Sequence, residues 1–177
     1  METYREFLKS DRWEEWNNYD SDQKKGVPLP PPQKSYPEGA TLIGLVAPDD
    51  LTIGQMPVIQ AIRRRRSRRE FTEQPLTLEE LSFLLWATQG INEHATQAFR
   101  DWLASKDPDA VKAQATLRTV PSAGGRHPFE TYLLVNRVKG LDPGLYRYLA
   151  VEHKLLFLRA GTAVSYTHLT LPTTPYV

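Results

Sequence analysis

The chain has 177 residues, of which 40% are hydrophobic and 24% charged, so it is long enough for one domain with a core. Its formal net charge of +1 argues against a protein that coats nucleic acid non-specifically, because such proteins are usually basic overall. The sequence contains no cysteine, which excludes disulfides, thiolate metal ligands and a cysteine nucleophile, and no apolar run long enough to cross a bilayer.

The first 34 residues predict a helix followed by a proline-rich strap. Apolar residues at helical spacing favour the helix over residues 4–18. The prolines of residues 27–37 then fix an extended backbone and remove amide donors, which is typical of a strap or linker. A strap laid over the following domain is the favoured interpretation, and a docking site for a proline-reading module is the alternative.

Two helices are predicted in the next part of the chain. The first covers residues 53–62, with Pro57 in its first turn, and its C-terminal end leads into a run of arginines. The second begins at Thr77, which forms a capping box with Glu80, three residues later. Gly90 is placed to end this helix in a left-handed conformation.

The second half of the chain predicts short helices, a strand and a hairpin. Residues 92–118 are polar with scattered apolar positions, which favours one or two surface helices. Residues 129–138 contain a nearly continuous apolar run, which is typical of a strand buried on both faces. Residues 145–149 and 154–158 predict the two arms of a β-hairpin.

The arginine segment, residues 63–71, concentrates six arginines around Ser67 and ends at Phe71. Arginine suits phosphate binding because its planar guanidinium donates two parallel hydrogen bonds and stays charged. Ser67 adds a neutral donor for phosphate oxygens, and Phe71 adds an apolar anchor. A solvated helix end and a nucleic-acid contact are the alternative interpretations of this charge run.

The glycine-rich loop, residues 121–128, is the second candidate for a ligand site. Its small residues and the paired Gly124 and Gly125 allow the backbone to approach a ligand closely and to expose N–H groups. His127 could act as a general base, but a structural role in this Gly-Gly-x-His-Pro turn is the favoured interpretation.

Both candidate segments resemble one known family. Residues 65–71 are similar to the Arg-Arg-Ser-x-Arg-x-Phe signature that opens the flavin-binding nitroreductase fold. Residues 121–128 resemble the Pro-Ser-Ala-Gly-Gly-x-His-Pro motif of the SagB-type dehydrogenase branch, which includes the azoline-oxidising subunits of thiazole/oxazole peptide synthetases. Residues 78–91 and 140–148 also resemble this branch. The resemblance covers residues 35–161 and implies the N-terminal portion of an α+β, nitroreductase-like domain.

The resemblance also implies an FMN-dependent oxidoreductase. The residues that it assigns to FMN binding are Arg65, Arg66, Ser67 and Arg69 in the arginine segment, and Pro121, Ser122, Ala123 and Gly124 along the isoalloxazine ring. The chemistry agrees, because the FMN phosphate needs charge-assisted donors and a nearby arginine stabilises the reduced ring. Family members continue past the hairpin, so the catalytic residues stay unassigned, and no metal is implied.

The implied electron donor is NAD(P)H or an organic substrate, and the implied substrate is a small molecule or a modified peptide. Azoline oxidation is the sharper hypothesis for the reaction, and generic NAD(P)H-dependent reduction is the broader one. The full-length protein would be a homodimer without nucleic-acid or membrane partners, and the lack of a secretory signal predicts a cytoplasmic location. The alternatives are a nucleic-acid-binding protein that uses residues 63–69 and an inactive truncated fragment.

The final residues differ in composition from the rest of the chain. Residues 164–177 contain no Asp, Glu, Lys or Arg and resemble the translation of a sequencing-library adapter. They would then be a non-native tail, and the natural chain would be cut short near Gly161. The predicted division is therefore 1–34 for the helix and strap, 35–161 for the partial domain and 164–177 for the tail.

Overall fold

The residues described in this computed structural model are 18–22, 24–28, 30–106 and 116–161. The chain forms two compact units, Met1–Pro30 and Pro31–Val177. Within the first unit, the Val27 amide donates a hydrogen bond of 2.9 Å to the Asp22 carbonyl and closes a turn. The predicted helix over residues 4–18, apart from its last position, and the predicted tail lie outside the described residues.

A four-stranded antiparallel sheet organises the described part of the second unit. Its strands are β1 (Leu42–Gly44), β2 (Tyr132–Val135), β3 (Gly144–Leu149) and β4 (Lys154–Ala160). They lie in the order β1-β4-β3-β2, and each neighbouring pair is antiparallel. The predicted hairpin is confirmed as β3 and β4. Since β3 lies between β4 and β2, both of its edges are paired.

Three α-helices occur within the described residues of the second unit: α1 (Val58–Arg64), α2 (Leu78–Gln89) and α3 (Glu93–Lys106). The helix α1 begins later than the predicted residue 53, because Pro57 is its N-cap, and it ends at Arg64, two residues past the predicted end, because the backbone of Arg65 is no longer helical. The single helix α3 accounts for most of the predicted surface helices in residues 92–118. No helix in the described ranges is long and apolar enough to span a membrane.

The predicted capping box of α2 is confirmed. The Thr77 hydroxyl accepts a hydrogen bond of 3.1 Å from the Glu80 amide, and the Glu80 carboxylate accepts one of 2.7 Å from the Thr77 amide. Two amides that lack a partner inside the helix are thereby satisfied. This explains why α2 begins at the position expected from the sequence.

The predicted left-handed conformation of Gly90 is wrong. Gly90 has a φ of −68° and a ψ of 167°, which is extended backbone that any residue adopts. A Cβ at this position would lie 2.5 Å from Cδ1 of Trp86 and 2.7 Å from its carbonyl oxygen. Glycine is therefore required for close packing against the last turn of α2 rather than for backbone conformation.

The core lies between α2 and one face of the sheet. Leu81 and Leu85 of α2 form a buried cluster with residues of the sheet, namely Val135, Tyr146, Tyr148, Ala150 and Leu155. Because side chains alternate along a strand, Tyr146 and Tyr148 face α2 while Arg147 between them faces the other way. Arg147 is nevertheless 97% buried, since its relative exposure is only 3%. Another part of the chain must therefore cover the second face of β3.

The strand β2 corrects a prediction. Residues 129–138 were expected to form a strand buried on both faces, but only Tyr132–Val135 are extended and two of them are exposed. Tyr132 is 51% exposed and Leu134 is 37% exposed, whereas Val135 is buried. The physical reason is position, because β2 lies at the edge of the sheet and pairs only with β3 among the described strands.

Candidate functional site

The arginine segment continues from the last turn of α1 into extended chain. Arg63 and Arg64 belong to the last turn, and the Arg65 amide donates to the Ala61 carbonyl at 2.9 Å as the helix ends. The Arg66 guanidinium turns back and donates to the carbonyls of Arg63 and Arg65, at 3.3 and 2.9 Å. Arg66 therefore caps its own helix, which is a favourable place for a positive charge.

The other predicted phosphate ligands of this segment are open to solvent. Within the described part of the chain, the side chains of Arg65, Ser67 and Arg69 are exposed and have no hydrogen-bond partner. Ser67 and Arg69 line a concave pocket with a volume of about 580 Å³, which is formed by residues 67–72. The expectation that Phe71 anchors the segment is wrong, because its side chain is 85% exposed. These donors are thus available to an anion.

The glycine-rich loop has a conformation that explains its composition. Gly124 and Gly125 have φ values of 65° and 64°, which are in the left-handed region that favours glycine. His127 also has a positive φ, of 41°, which is uncommon for a residue with a side chain. The Ser122 hydroxyl accepts a hydrogen bond of 2.9 Å from the His127 amide and closes the loop. As an acceptor it retains its own proton, which it can donate.

Residues preceding the loop attach it to the helices. The Thr119 amide donates to the Gly90 carbonyl and its hydroxyl to the Trp86 carbonyl, each at 2.9 Å. Two residues earlier, the Leu117 amide donates to the buried Thr96 hydroxyl of α3 at 2.9 Å. Residues on both helices thereby fix where the loop begins, at the C-terminal end of α2.

His127 has a structural role in this loop, as the favoured interpretation held. The Arg118 amide donates to Nε2 of His127 at 3.4 Å, so the ring proton of the neutral histidine is on Nδ1. Burial lowers the pKa of His127, and the positive charge of Arg118 lowers it further. Because the unprotonated nitrogen of the neutral ring already accepts from the backbone, the imidazole supports the turn rather than acting as a general base.

Arg118 is a buried residue beside the loop to which the sequence analysis assigned no role. It is nine-tenths buried, and its guanidinium donates to the carbonyls of Pro32 at 2.7 Å and Phe129 at 3.4 Å. Burial lowers the pKa of Arg118, and the nearby carboxylate of Glu130 opposes this shift. Because arginine stays charged in proteins, the site contains a fixed positive charge next to the glycine-rich loop.

Arg147 is the second such residue. From the centre of β3 it donates to the carbonyls of Lys34 and Ser35, at 2.9 and 3.1 Å. The Nε atoms of both buried arginines have no hydrogen-bond partner in the part of the chain that the structure describes. An arginine inside the otherwise apolar run of residues 145–149 was the signal in the sequence that could have found Arg147.

The residues that contact these two arginines are 32–36, which are part of the proline-rich stretch of residues 27–37 and are called the strap below. The Lys34 amide donates a hydrogen bond to the Glu130 carboxylate. The Gln33 side chain donates to the Glu152 carboxylate and accepts from the Val151 amide. Backbone and side chains of the strap are therefore held to the domain, and the strap supplies carbonyl partners for Arg147 on the second face of β3. The strap interpretation of the proline-rich stretch holds for these residues.

The hydrogen bonds described for the two candidate segments run within each segment. Arg66 donates to the carbonyls of Arg63 and Arg65, and Ser122 accepts from the His127 amide. No group of three or more His, Asp or Glu residues that could hold a metal ion occurs among the residues described. The arrangement offers exposed cationic donors in one segment and a tight loop of small residues in the other.

A family comparison decides the classification. The model of the nitroreductase family matches residues 62–165, which is more than half of the chain. The chain belongs to the nitroreductase family. The match contains the arginine segment, α2, the glycine-rich loop and the hairpin, so both candidate sites lie inside the nitroreductase region. The α+β arrangement of helices and antiparallel sheet is the nitroreductase-like fold class that the sequence predicted.

Two individual relatives are similar to the chain, and one of them has a nitroreductase name. A protein of Methanocaldococcus jannaschii, provisionally named a nitroreductase, is 32% identical over 108 residues, which are 58% of this chain and 44% of that protein. The trifolitoxin operon protein TfxC of Rhizobium leguminosarum bv. trifolii is 30% identical over 138 residues, or 72% of this chain and 36% of that protein. The chain thus spans less than half the length of these two relatives.

A solved structure is also similar. The crystal structure of a protein from Ralstonia eutropha, provisionally described as a nitroreductase, is 33% identical to this chain. The comparison covers 75% of this chain and 53% of that one, with a TM-score of 0.44.

Proposed function

We propose that the chain is part of an FMN-dependent oxidoreductase. The observation that carries the proposal is the exposed set of Arg65, Ser67 and Arg69 at the end of α1, inside the region that matches the nitroreductase family. Guanidinium and hydroxyl donors without protein partners are suited to a phosphate dianion, since charge-assisted hydrogen bonds are the strong ones. The cofactor supplies two-electron hydride chemistry when it is bound.

The residues present fit this cofactor in two respects. The arginine segment provides the positive charge for the phosphate group. The Arg66 guanidinium is held at the helix end by the carbonyls of Arg63 and Arg65, and the side chains of Arg65, Ser67 and Arg69 are open to solvent. The glycine-rich loop provides a surface of small residues, Pro121, Ser122, Ala123 and Gly124, against which a flat ring can lie. A closed conformation with positive φ at Gly124 would hold that surface in place.

The finer proposal is the SagB-type dehydrogenase branch. Its support is the Pro-Ser-Ala-Gly-Gly-x-His-Pro motif of residues 121–128. One relative, 30% identical over 138 residues, is named as a protein of the trifolitoxin operon. Reduction of a small molecule with NAD(P)H is the broader form of the proposal. Finding peptide-synthetase genes beside this gene would favour the peptide substrate.

A homodimer of the full-length protein is also proposed. The apolar side chains of α1 support it, because Val58 is 74% exposed and Ile62 is 65% exposed. Exposed apolar side chains on one helix are a common feature of protein interfaces. Sedimentation of the full-length protein would test the dimer, and a monomer at micromolar concentration would argue against it.

Reconstitution tests the cofactor proposal. The purified chain is incubated with FMN, separated from free FMN by gel filtration, and examined by visible absorbance. We expect retained flavin absorbance that bleaches when NADH or NADPH is added without oxygen. A protein that leaves the column colourless would contradict flavin binding, and retained flavin that neither nucleotide reduces would favour an organic substrate as the electron donor.

Nucleic-acid binding is the competing function, and one observation favours it. Phe71 is 85% exposed beside exposed arginines, and an aromatic ring near positive charge can stack on a base. Binding of single-stranded DNA or RNA would weaken steeply with salt if this function were correct. Failure to bind either nucleic acid at low salt would remove it.

A further inference from the structure

We propose that Arg118 is a positioning residue that links the glycine-rich loop to the strap, so that the strap helps to set the conformation of the loop. The proposal rests on the proposed function only where it concerns FMN, since the link itself is a property of the protein. It assigns a role to a buried residue outside the predicted phosphate and ring contacts.

The contacts of Arg118 reach three separate places. Its amide donates to Nε2 of His127 within the loop, at 3.4 Å. Its Nη1 donates to the carbonyl of Phe129 directly after the loop, at 3.4 Å, and its Nη2 donates to the carbonyl of Pro32 on the strap, at 2.7 Å. The shortest of these contacts is the one to the strap, so the Pro32 carbonyl restrains the guanidinium more tightly than the Phe129 carbonyl does.

The loop needs such support because one of its residues is strained. Gly124 and Gly125 adopt positive φ without strain, but His127 also has positive φ and its side chain disfavours that conformation. Inside the loop, the Ser122 hydroxyl holds the His127 amide. On the other side, the Arg118 backbone amide donates to the imidazole, and the Arg118 guanidinium donates to the Phe129 carbonyl directly after the loop, so His127 is restrained from both directions.

The strap in turn supplies an acceptor for the buried guanidinium of Arg118. A buried guanidinium loses hydration, and the energy is recovered only through well-placed acceptors. Here the acceptors are main-chain carbonyls, with the Glu130 carboxylate nearby, and Nε has no partner in the described residues. Removing the Pro32 carbonyl would leave a buried charge poorly satisfied, so displacement of the strap would favour movement of Arg118 and of the loop.

Arg147 provides a matched control. It is also buried, its Nε also lacks a hydrogen-bond partner among the described residues, and it holds the same strap through the Lys34 and Ser35 carbonyls. The Arg147 side chain donates to the Lys34 and Ser35 carbonyls, whereas the Arg118 side chain also donates to the Phe129 carbonyl directly after the loop. Loss of Arg147 should therefore release the strap without removing a contact to the chain that follows the loop.

The test compares Arg118→Met with Arg147→Met by amide hydrogen exchange of the full chain. We expect both variants to exchange faster at residues 33–36, by about tenfold, because each loses a charged hydrogen bond to the strap. Only Arg118→Met should speed exchange at residues 122–127 by a similar factor, because it alone frees the Phe129 carbonyl directly after the loop while the Arg118 amide remains; Arg147→Met should change loop exchange by less than about twofold. Equal changes at the loop in both variants, or no change in either, would overturn the proposal.

A second variant of Arg118 keeps the exchange result interpretable. Arg118→Lys retains the charge but cannot reach two carbonyls at once, so its loop exchange should lie between those of wild type and Arg118→Met. This variant replaces the Met variant if the latter does not fold, and wild-type loop exchange in Arg118→Lys would then overturn the link.

FMN affinity separates the two claims. If wild type does not bind FMN, the proposed function fails while the exchange comparison still decides the role of Arg118. If wild type binds FMN, Arg118→Met should weaken it at least about fivefold more than Arg147→Met and should shift the visible absorbance band of bound FMN. Faster loop exchange with unchanged FMN affinity and spectrum would overturn the positioning role for the cofactor.

Discussion

The Tyr148 hydroxyl, on β3, lies 2.8 Å from Nδ1 of His153, in the turn that connects β3 to β4. On the other side of the ring, Nε2 of His153 is 2.9 Å from the Val46 carbonyl. A carbonyl can only accept, so Nε2 carries the proton of the neutral ring and Nδ1 accepts from the tyrosine. Burial lowers the pKa of His153, although the hydrogen bond to Val46 opposes the shift, and burial raises the pKa of Tyr148.

This arrangement predicts that the protein loses stability below about pH 6.5, the pKa of an unfolded histidine. The folded pKa of His153 is lowered, and that of His127 is lowered in the same direction, so the unfolded state binds protons first as pH falls. The free energy of unfolding should be level between pH 7 and 8 and decrease from about pH 6.5 towards pH 5. Urea unfolding at each pH measures it.

His153→Asn is the control for this dependence, because His153 has a φ of 50° and asparagine tolerates that conformation. The variant should be less stable at pH 8 by about 1–2 kcal/mol, since it loses buried hydrogen bonds. Its stability should also decrease less between pH 7 and 5 than that of wild type. An unchanged slope would show that His153 does not contribute to the acid sensitivity.

The capping box of α2 predicts a difference between two threonines of the same region. Thr77→Ala removes the acceptor for the Glu80 amide and should lower the free energy of unfolding by about 1 kcal/mol. Thr88→Ala removes only a hydroxyl that donates to the Leu84 carbonyl within the helix, and it should change stability by less than about 0.5 kcal/mol. Equal losses in urea unfolding would contradict the role of the cap.

Gly90 and Gly44 give a second matched pair. Gly90→Ala places a Cβ against the Trp86 side chain and backbone and should destabilise the protein by about 1–3 kcal/mol, as overpacking does. Gly44→Ala, in β1, meets nothing within 4 Å and should change stability by less than about 0.5 kcal/mol. Thermal unfolding of the two variants checks this, and a neutral Gly90→Ala would mean that the contact relaxes without strain.

Local signals in the sequence were sufficient for the elements that local interactions fix. The start of α2 follows from Thr77 and Glu80, which satisfy each other's backbone within one turn. The hairpin of β3 and β4 follows from two apolar runs separated by a short connection. The family of the chain followed from the order of residues in the arginine segment and the glycine-rich loop, and the family model confirms it.

Features that depend on distant parts of the chain could not be predicted in the same way. The exposure of β2 depends on its place at the sheet edge, and the requirement for Gly90 depends on the packing of Trp86. Arg118 is an ordinary surface residue by type, and its acceptor on the strap, the Pro32 carbonyl, lies 86 positions away in the chain. The apolar run around Arg147 signals that it is buried, but not that its acceptor would be the Lys34 carbonyl, 113 positions away. The FMN contacts and the cytoplasmic location stay predictions.

The phosphate role of the arginine segment predicts unequal effects of single substitutions. Arg65→Ala and Ser67→Ala should each weaken FMN binding, by about tenfold to a hundredfold for the arginine, because each removes a donor to the phosphate. Arg63→Ala removes the same charge from the last turn of α1 and should weaken binding by less than about threefold. Equal losses for the two arginines in a fluorescence titration would indicate diffuse attraction by charge instead of a shaped site.

The most direct test of the account is the ratio of the dissociation constants for riboflavin and FMN, measured by fluorescence titration of the chain. The two ligands share the ring and differ in the phosphate group, so the ratio isolates the contribution of the arginine segment. We expect FMN to bind on the order of a hundredfold more tightly than riboflavin, and the ratio to fall about tenfold in Arg65→Ala while Arg63→Ala retains it. Equal affinity for the two ligands in wild type, or binding of neither, would contradict the proposal that residues 65–69 hold the phosphate of a flavin.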